Sequence, residues 1–230
     1  MIQAIFFDFN GVIINDEPLQ CSAYQQVLAQ HGISLTEEQY YNALGMDDRT
    51  FVHTAFERVS KRVTPELMSA VIKAKARIHQ GLIADELPLF PGIETLLKSA
   101  ARRYSLGIVS MASREEIRFV FDRARLESLF SVVVSAEDVK VCKPAPDCYL
   151  RALEKLNEKR LNARLLPLLS EECLVIEDSP PGIQSGRAAG MRTLGVTNTV
   201  SDPELRAAGA EVVTMSLSDW NVDAVRHVFS

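Results

Sequence analysis

Short apolar runs punctuate the chain at residues 4–7, 106–109, 132–134, 174–176, 193–196 and 212–213, with longer stretches of helical period between them. Alternation of this kind predicts βαβ units and a parallel sheet. The runs are nearly continuous rather than alternating, as expected when helices cover both faces of the sheet. Residues 17–88 break the rhythm, because the pattern there is helical throughout and holds no strand-like run. Pro18 suits a first helical turn, and Thr64, Pro65 and Glu66 read as an N-cap, a first helical position and an early acid. The stripe Phe51, Ala55, Val59 reads as core packing on one helix face. Pro88, Pro91 and Gly92 mark the return to the sheet, with Pro91 placed to open the next helix. Residues 157–170, basic and Leu-rich, exceed the usual connection of about 4–6 residues and read as a helix extension followed by a surface loop. The expected fold is therefore α/β: a Rossmann-like, three-layer α/β/α parallel sheet from residues 1–16 and 88–230, with an all-helical cap domain, residues 17–87, inserted in it.

Composition narrows the function classes. At 230 residues and 47% hydrophobic, the chain can bury a sizeable core. A net charge of −5 disfavours nucleic acid and anionic membranes as partners, while leaving room for a local basic pocket that takes one small anion. No stretch reaches the roughly 18 apolar residues needed to span a bilayer. Cys21, Cys142, Cys148 and Cys173 show neither zinc-type spacing nor the density of a disulfide scaffold, so a cytoplasmic location fits best. Oligomeric state is left open, and a monomer is compatible with everything above.

In an open parallel sheet, ligands bind beyond the carboxyl ends of the strands. The first run ends in Asp8, Phe9, Asn10, Gly11; the second in Ser110; the third leads to Lys143 and Pro144; the fourth ends in Glu177, Asp178, Ser179. Carboxylates, a hydroxyl and a cation on one rim form a kit for holding a phosphoryl group. Carboxylates alone would repel phosphate, and the usual remedy is a hard divalent cation, here Mg2+, for which Glu177 and Asp178 are placed. Asp8 can then attack phosphorus to give an aspartyl phosphate. Lys143 compensates the charge, the Ser110 hydroxyl and the amides of Met111 and Ala112 bond phosphoryl oxygens, and Gly11 permits a tight turn beneath the substrate. The expected partner is a small phosphorylated metabolite.

The segments 6–19, Lys143 to Asp147, and Glu177 to Ser179 followed by Gly182, Ile183 and Ala189 to Met191 resemble the haloacid dehalogenase superfamily. The likeness is to its phosphatase and β-phosphoglucomutase group with a helical cap. The resemblance implies that Asp8 is the nucleophile and that Ser110 and Lys143 bind phosphate. It also implies that Asp8, Asp178 and the carbonyl of Asn10 ligate magnesium, with Glu177 supporting the metal directly or through water. Arg49, in a loop similar to the specificity loop of such caps, and Gln20, where related sugar-phosphate enzymes often carry histidine, are the implied cap positions facing substrate. Lys73, Lys75 and His79 read mainly as a solvated helix face.

One position departs from the pattern. Phosphatases of this group carry a second aspartate where this chain has Asn10, and that aspartate protonates the leaving oxygen and then activates water. An amide shuttles no proton, and loss of a positioned acid/base costs on the order of 10² to 10⁴ in rate. The sequence thus leaves four readings: a magnesium-dependent phosphatase with altered proton traffic, a β-phosphoglucomutase-like mutase, a silent phosphometabolite-binding protein, and a dehalogenase, whose superfamily members lack the second aspartate. Asp16 or a cap residue is the available substitute source of the proton.

Overall fold

The computed structural model describes residues 1–229. Six strands form one parallel sheet: β1 (Ala4–Phe7), β2 (Ser105–Val109), β3 (Val132–Val134), β4 (Cys173–Glu177), β5 (Arg192–Val196) and β6 (Val212–Thr214), in the order β3-β2-β1-β4-β5-β6. β1 lies at the centre, with Ala4 registered against Ser105 of β2 on one side and Cys173 of β4 on the other. Every residue of β1 and β4 is buried, which is why their apolar runs show no alternation. Successive side chains still part to opposite faces: Ile5 and Phe7 join one hydrophobic cluster, Ala4 and Phe6 another. The chain builds outward from β1 to β3, then crosses back to β4. That reversal between β1 and β4 is the switch point at which such sheets bind ligands.

Four helices lie between β1 and β2: α1 (Glu17–Ala29), α2 (Glu37–Tyr41), α3 (Asp48–Arg58) and α4 (Pro65–Leu82). They enclose a hydrophobic cluster of their own, around Tyr24, Leu28, Phe51, Val52, Phe56 and Val71. Thr64 caps α4 by accepting a hydrogen bond from the Leu67 amide, and Pro18 lies in the first turn of α1. Phe51 and Ala55 are buried as expected, but Val59 is exposed at the frayed end of α3, so the predicted stripe stops one turn early. The entering and leaving chains run side by side, with the Asn15 amide donating to the Pro88 carbonyl at 2.7 Å and the Phe90 amide to the Ile13 carbonyl at 3.2 Å. The helical unit therefore hangs from two adjacent backbone segments.

The remaining helices are α5 (Ile93–Ala100), α6 (Arg114–Ala124), α7 (Asp147–Asn162), α8 (Pro180–Ala188), α9 (Asp202–Ala208) and α10 (Val222–Val228). Pro91 does not open α5; it lies in a turn, and Gly92, with φ of +78°, takes the N-cap. A positive φ favours glycine there, and the turn it makes moves the helix start two residues past the proline. Beyond α7 the chain loops back over the helix, where the Asn157 side chain pairs with both backbone groups of Leu168 at 2.7 and 3.0 Å.

Candidate active site

The carboxyl ends of β1, β2 and β4 deliver Asp8, Ser110 and Glu177–Asp178 to one point, and the loop before α7 adds Lys143. Lys143 Nζ donates to Asp8 Oδ1 at 2.8 Å, to Glu177 Oε1 at 2.6 Å and to the Val109 carbonyl at 3.1 Å. With three acceptors around it, the ammonium is pinned. Burial alone would lower the Lys143 pKa, but the two carboxylates outweigh it and hold it raised.

Glu177 is wholly committed to protein donors. Its Oε1 accepts from Lys143 and from the Tyr149 hydroxyl at 2.8 Å, and its Oε2 from the Ser179 hydroxyl at 3.1 Å and the Asp178 amide at 3.2 Å. A Cβ on Gly182 would fall 1.9 Å from the Glu177 carboxyl carbon, so only glycine lets α8 start beside this side chain. Asp178 differs: its Oδ2 is buried and has no hydrogen-bond partner. Burial, with Glu177 and Asp8 adding to it, raises Asp178 well above the usual carboxylate range. Burial likewise pushes Asp8 up to about 7, against the pull of Lys143.

A buried, unpartnered carboxylate oxygen beside other acids calls for a cation. One oxygen each of Asp8, Glu177 and Asp178 lie within 4.8 Å of one another. The residues present fit a hard divalent ion, with Asp8 and Asp178 as the carboxylates free to hold it. Glu177 fits better as the group that orients Lys143 and the Asp178 backbone. Gly11 makes the fit possible: it has φ of +71°, and a Cβ there would fall 1.9 Å from Asp178 Oδ2. The turn carrying the Asn10 carbonyl can therefore close against Asp178.

Asn10 faces away from this cluster. Its Nδ2 donates to both oxygens of Asp16, at 3.0 and 2.9 Å, and Gln20 Nε2 donates to Asp16 Oδ2 at 3.0 Å. His79 Nε2 approaches the same oxygen at 2.9 Å, off the line of a hydrogen bond. Asp16 is fully buried, Gln20 and His79 nearly so. An aspartate at position 10 would set two carboxylates about 3 Å apart, and like charges that close cannot both ionise. Asn10 and Asp16 are thus a matched donor and acceptor. Asp16, sealed from the cleft, has no path to hand a proton to substrate.

Above the site lies a cleft of about 90 Å³ whose walls include Asp8, Asn10, Ser110, Met111, Ala112, Lys143 and Asp178 from the sheet and Glu17, Gln20, Tyr24, Tyr40, Asp48 and Lys75 from the helical unit. The candidate phosphate-binding positions, Asp8, Gly11, Ser110, Met111, Ala112 and Lys143, are brought together around Asp178. Arg49 is not: it is exposed and lines a separate groove of about 310 Å³ with Lys73, Glu115 and Glu137. Gly45, not Arg49, is where the cap loop meets the site, since a Cβ there would fall 2.9 Å from Pro181 and 3.2 Å from the Lys143 Cβ. Lys75 and His79 also depart from expectation, being buried rather than solvated. Lys75 Nζ binds Asp48 Oδ1 at 3.1 Å and Glu116 Oε1 at 2.9 Å, tying α4 to α6 across the cleft. Sequence reasoning passed over Glu17, Tyr40, Asp48, Glu116 and Tyr149. Glu17 lies within the 6–19 segment, Asp48 beside Arg49 and Tyr149 close behind the Lys143 loop, so these three carried a local signal, whereas Tyr40 and Glu116 carried none.

The haloacid dehalogenase-like hydrolase family model matches residues 5–196, and the chain belongs to that family. The "Phosphorylated carbohydrates phosphatase" of Thermotoga maritima is 28% identical over 215 residues, covering 91% of this chain and 92% of that protein. Two solved structures share the fold. β-Phosphoglucomutase from Clostridium difficile superposes with a TM-score of 0.85 at 22% identity, covering all of this chain and 97% of that one. CbbY from Rhodobacter sphaeroides, solved as an aspartate-to-asparagine mutant with xylulose-(1,5)bisphosphate, gives 0.82 at 24%, covering 97% and 99%. No helix among the described residues is long and apolar enough to cross a membrane.

Proposed function

We propose that the protein is a magnesium-dependent phosphatase that hydrolyses a small phosphate monoester, such as a sugar phosphate, through an aspartyl phosphate on Asp8. The observation that carries this reading is the pairing of a lysine-held Asp8 with the orphaned Asp178 oxygen at the sheet's switch point. Asp8, Asp178 and the Asn10 carbonyl would hold Mg2+, which when bound supplies charge neutralisation for the phosphate and the carboxylates around it. Lys143 keeps Asp8 oriented and offsets the charge of the incoming phosphoryl group. The Ser110 hydroxyl and the Met111 amide receive phosphoryl oxygens, while the Ala112 amide, which the sequence reading also placed there, donates to Ser110 Oγ at 3.0 Å and orients that hydroxyl.

The separate hydrophobic cluster of the helices and the paired crossing at Asn15 and Pro88 support a split into a core of residues 1–16 and 88–230 and a cap of 17–87. A cleft of about 90 Å³ lies well below the several hundred Å³ of ordinary ligand pockets, so the cap opens on that hinge to admit substrate. The four thiols are free, which accords with a cytoplasmic location.

The test is a phosphate-release screen over sugar phosphates and other small monoesters, with and without Mg2+, beside Asp8→Asn. Release that needs Mg2+ and disappears in Asp8→Asn is expected. Metal-independent release, or turnover retained by Asp8→Asn, would remove Asp8 from the nucleophile's role. A mutase reading has the β-phosphoglucomutase-like fold in its favour, and isomerisation supported by glucose 1,6-bisphosphate without net phosphate release would select it. Gln20 Nε2 is held by Asp16, and its Oε1, buried and without a partner, is the part of that amide left to meet a bound ligand.

A further inference from the structure

We propose that Glu17 is the catalytic acid and base of this enzyme, holding the proton that Asn10 cannot; the assignment rests on the phosphatase reading above. Three observations lead to it. Asn10 has no transferable proton, and its amide is directed at Asp16. Asp16 is fully buried, with both oxygens occupied, so it serves as the anchor of Asn10, Gln20 and His79 rather than as a proton donor. Glu17, the next residue, is half-buried and lines the same cleft as Asp8 and Lys143. It is the first residue of α1, two residues beyond the Asn15 crossing, and already stands in the cleft wall.

Its surroundings keep it protonated. The Tyr40 hydroxyl donates to Glu17 Oε2 at 2.5 Å, fixing the carboxyl while the group remains in the cleft wall. Burial, reinforced by Asp16 and Asp8 and opposed by Tyr40 and Lys75, pushes Glu17 up to about 8. Cys21 and Tyr41 of the cap and Asp178 of the core also face it electrostatically. A raised carboxyl is the acid form below its own pKa, so Glu17 carries a proton at neutral pH.

The steps balance without any further reagent. An Asp8 carboxylate oxygen attacks phosphorus, the ester P–O bond breaks, and the leaving alkoxide takes the Glu17 proton. Water then attacks the aspartyl phosphate while Glu17 carboxylate accepts its proton, the P–O bond to Asp8 breaks, and phosphate leaves. Ester and water have become alcohol and phosphate, with both carboxyls restored.

The experiment compares Glu17→Gln with the parent on two esters, glycerol 2-phosphate and p-nitrophenyl phosphate. An alkoxide needs the proton to leave; p-nitrophenolate does not. Glu17→Gln is expected to lower kcat/KM for glycerol 2-phosphate by on the order of 10² or more while leaving that for p-nitrophenyl phosphate within about threefold. The kcat for p-nitrophenyl phosphate should fall too, with a burst of p-nitrophenol as the aspartyl phosphate accumulates. Equal losses in kcat/KM on the two esters would reduce Glu17 to a structural residue, and no loss on glycerol 2-phosphate would overturn the assignment. A gain of about 10² in Asn10→Asp over the parent would equally overturn it, since an enzyme with a working acid/base at Glu17 gains little from a second. If the parent releases phosphate from neither ester nor from the wider screen, the phosphatase reading itself falls, and this assignment with it.

Discussion

Two lysines in this molecule are buried in the same manner, each between two carboxylates, yet their surroundings lead to different chemistry. Lys75 bridges Asp48 and Glu116, and Tyr24 donates a further hydrogen bond to Asp48, so the cluster is closed. Although burial pushes Glu116 upward, Lys75 wins and holds it at about 2. Asp48, which shares the same ammonium, is instead raised by burial. We take the pair as a single unit holding one ionised carboxylate firmly, because a coupled pair titrates as a whole. Lys143 bridges Asp8 and Glu177 in the same way, but a third carboxylate, Asp178, sits beside them with a buried Oδ2 that lacks a hydrogen-bond partner, the Thr199 hydroxyl alone pulling its pKa downward. One ammonium can hydrogen-bond two acids but balances the charge of only one. The cap cluster is therefore complete as folded, a tie between α4 and α6. The core cluster is complete only with added positive charge, which is the condition of a site rather than of a strut.

Asp8→Asn should remove turnover by on the order of 10⁴ or more, measured as phosphate release with Mg2+, because no neighbouring group can replace the nucleophile. Lys143→Met and Lys75→Met should each cost about 3–5 kcal/mol in denaturant unfolding without metal, since each leaves buried carboxylates unpaired. Mg2+ should restore part of that loss in Lys143→Met and none of it in Lys75→Met; equal behaviour of the two would erase the distinction between them.

Mg2+ should also raise the Tm of the parent protein, and Asp178→Asn should abolish the shift. The sign with pH follows from Asp8, whose folded pKa of about 7 lies above its ordinary value. The folded state gains stability from that proton as pH falls below 7, and the cation must compete with it. The Tm shift should therefore be larger at pH 8 than at pH 6. Glu116 has the opposite sign, its folded pKa of about 2 lying below the ordinary carboxylate value. Its contribution is present above about pH 4.5 and lost as pH falls toward 2. The stability gap between the parent and Glu116→Gln should thus hold steady from pH 8 to 5 and close in stronger acid, which urea melts at stepped pH would show. The smallest effect is expected at Arg49: Arg49→Ala should leave kcat/KM for the best monoester within about threefold, because Arg49 lines the neighbouring groove.

Much of the fold was legible in the chain. The six apolar runs fall on the six strands, and the strandless stretch from residue 17 is four helices. Burial on both faces leaves an uninterrupted apolar signature, and that signal is local. Asp8, Ser110, Lys143 and Asp178 are singled out in the sequence by their place just past a strand or in a motif, and the fold brings them to one cleft. The misses came where a side chain's fate depends on a distant element. Lys75 looks like a solvated lysine in α4 until α3 and α6 set Asp48 and Glu116 against it. Arg49 looks like a substrate ligand until the turn at Gly45 carries it past the cleft. Asn10 looked like a simple deficiency, and it is also the donor that a buried Asp16 requires.

What the sequence determined by itself is the order of strands and helices, the inserted helical unit, and the residue types delivered to the carboxyl ends of β1, β2 and β4. These follow from short-range rules of periodicity, capping and strand termination. Only the tertiary structure decided which charges are paired. It closed Glu177 with four donors, left Asp178 short of one, sealed Asp16 and turned Glu17 into the cleft. Pairing is set by distances of about 3 Å between residues tens of positions apart, and no local pattern encodes it.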